Sequence, residues 1–162
     1  MGTRSTIIQK IDSDTYRSIY CHWDGYLSNN GRILLKHYQD PEKVSKLLLL
    51  GSLSSLREEV DIPEGKIHTY DEAQPNITVA YHRDRGEEWE HTAYLDKSTL
   101  KESLDNYFSY LYVAGDWYIQ KSLVEENIDE DNGIKMSNIN NIIKIEDEDW
   151  VLLRDLEEFI QK

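Results

Sequence analysis

The stretch Ile19-Tyr20-Cys21-His22-Trp23-Asp24-Gly25-Tyr26 holds a thiol, an imidazole, an indole, a carboxylate and two phenols. In an extended chain, successive side chains point to opposite faces. Ile19, Cys21 and Trp23 then share an apolar face expected to enter the core, and Tyr20, His22 and Asp24 share the other. A cysteine nucleophile needs a base and an electropositive, partly exposed setting. His22 stands on the wrong face to serve Cys21, so Cys21 reads as a small buried hydrophobe. His22 and Asp24 lie side by side at i, i+2. The same spacing recurs at His82-Arg83-Asp84. Were the two strands neighbours, the pairs would converge on a site able to bind Zn²⁺ or Mn²⁺ or to work as acid and base. No H-E-x-x-H accompanies them. Arg83-Asp84-Arg85 reads first as a structural ion-pair cluster and second as an anion-binding edge. The candidate ligand set is therefore Tyr20, His22, Asp24, His82, Arg83, Asp84 and Arg85. No residue reads as catalytic, and no motif implies a cofactor.

Asp24-Gly25 and Asn30-Gly31 precede a helical pattern, and a glycine loop before a helix can hold an anion. Neither G-x-x-x-x-G-K-[ST] nor G-x-G-x-x-G is present, so turn and cap are the expected roles.

The elements that must position these groups follow from pattern. Residues 4–11 read as a strand, Asp12-Ser13-Asp14 as a turn, and 16–24 as the antiparallel return. Ser28, Asn29 and Asn30 are N-cap candidates for a helix over about 30–38. Asp40-Pro41-Glu42 signals a second helix that buries Val44, Leu47 and Leu48 and ends at Gly51. "GSLSSL" reads as a tight connection, and 57–76 as a surface loop. Residues 76–84 and 88–95 read as a strand and its partner around Arg85-Gly86. Asp96 or Ser98 caps a helix to about 106. "YFSYLYV-AGD-WYIQ" reads as a second hairpin. Residues 125–138 look poorly ordered, and an amphipathic helix is expected over about 148–161. Hairpins interspersed with helices predict an α+β fold: an antiparallel sheet with helices packed on one face. The expected organisation is a single domain, 1–162, with an α+β core over 1–121 and an acidic C-terminal region over 122–162.

Composition narrows the function classes. The chain has 162 residues, one cysteine, eleven Tyr, four Trp and a net charge of −13. A lone cysteine excludes an internal disulfide and fits a reducing compartment. No apolar run approaches the ~20 residues that span a bilayer, so no membrane role is expected. Residues 122–162 carry twelve acidic and four basic residues, a net of −8. Direct nucleic-acid binding needs clustered Lys and Arg and is not expected. A basic or nucleic-acid-binding protein is the better partner for such a surface. The candidate partner-binding residues are Glu125, Glu126, Asp129, Glu130, Asp131, Glu146, Asp147, Glu148 and Asp149.

At "TRSTI", "IYCHWDGY", "NNGRILLKHY", "GSLSSL", "AYHRDRGE" and "GDWY" the chain resembles a group of small uncharacterised proteins of tailed phages and prophages. The resemblance covers roughly residues 3–95 and 107–120. It implies a phage or prophage origin and the cytoplasm of a bacterial host, and it carries no catalytic residue with it. The expected function is an accessory protein that binds a host or phage protein, with an anti-CRISPR or anti-restriction role using acidic surface. The alternative is a small enzyme or nucleotide- and anion-binding protein centred on His22, Asp24, His82 and Asp84.

Overall fold

β-branched residues in "STIIQK" form β1 (Ser5–Lys10), and the chain returns as β2 (Tyr16–Cys21). Between them Asp12 Oδ1 accepts the amide N–H groups of Asp14 and Thr15 at 2.9 and 2.8 Å. This Asx turn sets the register Gln9↔Arg17 and Ser5↔Cys21. The structure is a computed structural model that describes residues 3–88, 92–103, 108–122, 124, 139–145 and 148–160.

A wide turn over Leu27–Gly31 leads into α1 (Arg32–His37). The helix starts later than expected, and no side chain caps it. The second expected helix is α2 (Pro41–Leu49), where Asp40 Oδ1 accepts the Glu42 N–H and Pro41 opens the first turn. Gly51 at φ 78° lets the chain leave. "GSLSSL" is not merely a connection. It contains strand β3 (Leu53–Ser55), which runs parallel to β2 at Cys21↔Leu53.

The expected strand 76–84 is a correction. Only β4 (Val79–Ala80) is extended, and Tyr81–Arg85 form a helical turn, α3. Asp84 Oδ2 reaches back one turn to accept the N–H of Ala80, the residue before the helical turn, at 2.8 Å. Gly86 at φ 83° then ends the turn. The hairpin expected around Arg85-Gly86 is corrected with it. β5 (Ala93–Leu95) pairs with β2 at Tyr16–Ser18 instead of with β4. Asp96 caps α4 (Lys97–Ser103) by accepting the Thr99 N–H.

The hairpin of β6 (Phe108–Val113) and β7 (Asp116–Gln120) is as expected, with Ala114 and Gly115 both left-handed at φ 50° and 90°. The C-terminal helix is a further correction. Residues Glu148–Leu152 are strand β9, paired with β8 (Ile142–Ile145) and β7. Only the 3₁₀ turn Leu153–Leu156 and α5 (Glu157–Ile160) are helical. "WVLL" is buried throughout, and such a run suits a strand covered on both faces as well as a helix. The question of order at 125–138 lies outside the described residues.

The fold is α+β. Among the described residues the sheet order is β4-β3-β2-β1-β6-β7-β9-β8, with β5 on the free part of β2. It is mostly antiparallel, but β1 and β6 run parallel at its centre. The main core joins Ile7, Ile19, Leu53, Tyr110 and Val151 to Leu34 of α1, Leu47 and Leu48 of α2, and Ile160 of α5. A smaller cluster on the other face gathers Ile8, Tyr16, Leu111 and Trp150 around Leu100 of α4. No helix among the described residues is long and apolar enough to cross a membrane.

Candidate functional site

β2 stops at Cys21, but the backbone of the next two residues stays bonded to β3. His22 N–H donates to Leu53 O and Trp23 N–H to Ser54 O, each at 3.0 Å. Asp24 then turns left-handed at φ 57°. Gly25 passes so close to β1 that a Cβ there would stand 2.7 Å from the Ser5 Cβ and 2.8 Å from the Arg4 carbonyl oxygen. Its N–H donates to Thr3 O at 2.7 Å, and its carbonyl accepts the Tyr110 hydroxyl at 2.6 Å. Asn30 is fully buried and donates to Ser5 Oγ at 3.1 Å and to Cys21 Sγ at 3.5 Å. Asn29 Nδ2 donates to the Asp24 carbonyl. The two asparagines thus pin the end of the sheet and do not cap α1.

The two faces of the opening stretch separate as expected up to residue 22. Ile19 and Cys21 are core. Burial pushes the Cys21 thiol up to about 11, so it stays protonated and unreactive. Tyr20 hydroxyl and His22 Nδ1 share a hydrogen bond of 2.7 Å. Trp23 corrects its assignment to the core: it is 40% exposed and meets the His22 ring edge-on, 4.7 Å between centroids. The alternation that would bury it ends with β2.

His82 and Asp84 lie on α3, so i, i+2 no longer places them side by side. Two helical residues span about 200° of rotation. His82 Nδ1–H donates to Glu87 O at 2.6 Å. Asp84 is buried in a different constellation. Arg83 grips its carboxylate through Nε at 2.9 Å and Nη2 at 3.1 Å, while its other bonds run to Val60 O and Thr78 O. His68 Nε2 stands 3.4 Å from Asp84 Oδ2, both side chains fully enclosed. His68 Nδ1 accepts the Gln74 N–H at 2.9 Å, so the ring proton sits on Nε2 and is donated to Thr78 O at 3.0 Å. These bonds fasten the 57–78 loop to α3, the structural role expected first for the Arg-Asp cluster. The two H-x-D pairs do not assemble a metal centre: among the described residues no group of three or more His, Cys, Asp or Glu could hold an ion.

What the structure gathers instead is aromatic. Tyr70 stacks on Tyr81 at 6.3 Å, with the Arg85 guanidinium 4.8 Å above the Tyr70 ring. Arg85 also pairs with Glu87 at 3.6 Å. The Tyr81 N–H donates to Ser52 O, just before β3, and the Ser54 carbonyl within β3 accepts the Trp23 N–H. β3 therefore stands between Tyr20, His22 and Trp23 on one side and Tyr70, Tyr81 and Arg85 on the other. Trp23, Tyr26 and Tyr70 are all substantially exposed. Sequence spacing missed His68, Tyr70 and Tyr81. His68 lies far from Asp84 in the chain, and no short motif links them.

Of the candidate partner-binding acids, Glu148 and Asp149 are half-buried in β9, with Asp149 opposite Lys144. Glu125, Glu126, Asp129, Glu130, Asp131, Glu146 and Asp147 lie outside the described residues. Comparison with protein-family models, curated proteins and solved structures returns no match.

Proposed function

We propose that this chain is a phage-encoded accessory protein that acts in the bacterial cytoplasm by binding a host protein. The observation that carries this reading is the pair of exposed aromatics, Trp23 and Tyr70, set with Arg85 around β3. Tyr, Trp and Arg dominate binding hot spots because they bury large area with few rotatable bonds. The net charge of −13 favours a basic partner, steered in by complementary potential. A nuclease of the CRISPR or restriction type has such a basic groove, and the acidic residues 125–131 and 146–149 would stand in for its nucleic-acid phosphates. This makes the chain an anti-defence inhibitor.

A pull-down from bacterial lysate, washed at low and high salt, tests the reading on three chains. The wild type should retain one stoichiometric, salt-sensitive partner. Trp23→Ala with Tyr70→Ala should lose it. Neutralising Glu125, Glu126, Asp129, Glu130 and Asp131 should weaken it and flatten its salt dependence. Retention by both variants at high salt would refute the reading.

A further inference from the structure

A cleft of about 600 Å³ opens where the β1–β2 turn, the start of α2 and the β6–β7 turn meet, away from β3. Its polar lining includes Gln9, Lys10, Asp12, Arg17 and Ser45, with Ile11, Pro41 and Val113 as apolar wall. Gln9 and Arg17 are cross-strand partners. Gln9 is 7% exposed, and both ends of its amide are committed. Its Oε1 accepts from Arg17 Nε at 2.7 Å, and its Nε2 donates to Ser45 Oγ at 3.0 Å. The buried amide thus holds the half-buried guanidinium, which lines the cleft, through Nε.

In a chain with 31 carboxylates, that guanidinium has no carboxylate within ion-pair distance among the described residues. The nearby acids have other work. Asp12 Oδ1 accepts two turn amides, Asp40 caps α2, and Asp116 pairs with Arg154 at 3.4 Å. The cleft therefore presents three donors, the Arg17 guanidinium, the Lys10 ammonium and the Ser45 hydroxyl, with one carboxylate, Asp12, whose charge is coupled to Lys10. Three donors against one carboxylate favour an acceptor-rich anion, and a planar guanidinium fork matches phosphate oxygens. The cleft has the size of a small-molecule site, larger than phosphate alone needs.

The geometry points to a binding site for a phosphorylated small molecule, its phosphate on Arg17, Lys10 and Ser45 and its body against Ile11, Pro41 and Val113. This site is independent of the protein-binding surface.

Titration of ¹⁵N-labelled protein with inorganic phosphate, pyrophosphate, ribose 5-phosphate and adenosine 5′-monophosphate, with adenosine as the phosphate-free control, tests it. The Arg17 Nε–H resonance should shift saturably with at least one of the organic phosphates, more tightly than with inorganic phosphate, and not with adenosine. By calorimetry Arg17→Met should bind that phosphate about ten-fold or more weakly, with an unchanged circular dichroism spectrum. No saturable shift from any of the four overturns the proposal, as does equal binding of adenosine. Should Arg17→Met fail to fold, Ser45→Ala and the wild-type resonance decide the matter.

Discussion

Asp84 stands in the H-x-D pattern of a ligand, yet its carboxylate is used entirely inside the protein. It accepts from Arg83 twice and from Ala80 once, beside His68. Removing one partner of a buried charged pair leaves the other uncompensated. Asp84→Ala should therefore cost about 3–5 kcal/mol, read as a lowered urea midpoint. An unchanged midpoint would show that the cluster does not hold the loop. Cys21 gives a pH dependence with a definite sign. Burial raises its thiol from 9.0 to about 11, so folding favours the protonated form. Its contribution is fully present below pH 9 and is lost as pH rises toward 11. The loss amounts to roughly 2–3 kcal/mol, checked by denaturation at a series of pH values. A thiol reagent at pH 8 should modify Cys21 only in denaturant.

Among the elements, the hairpins and α2 were legible because their signals are local. A turn residue, a cap or an alternation acts within a few positions. Ala114-Gly115 shows the limit of such chemistry: both residues are left-handed, which alanine adopts at a cost. Ala114→Asn should raise stability by up to roughly 1 kcal/mol and the melting temperature with it. Asp40→Ala should lower stability by about 1 kcal/mol through the lost cap of α2. The misread elements had ambiguous local signals. "ITVAYHRD" alternates like a strand, but the Asp84 bond to Ala80 and the Gly86 turn curl its second half. "DWVLLRDLEEFI" carries a helical stripe, but β7 was waiting for a partner, and its first half became β9.

At the scale of the molecule, the acidic C-terminal region is no appendage. β9 pairs with β7, and Val151, Leu153, Leu156 and Ile160 complete the main core. A chain ending at residue 121 should therefore fail to give the cooperative unfolding transition of the full chain, measured by tryptophan fluorescence and circular dichroism. A cooperative, native-like fragment would show that 1–121 stands alone. Composition, charge, the two hairpins and the buried face of β2 through Cys21 were determined by the sequence itself, because each depends on neighbours along the chain. Tertiary structure alone decided the parallel pairing of β1 with β6, the enclosure of His68 against Asp84, the aromatics gathered around β3, and the Gln9 link between Arg17 and Ser45. Each joins segments whose separation along the chain is closed by burial of the whole core, and no local preference encodes that closure.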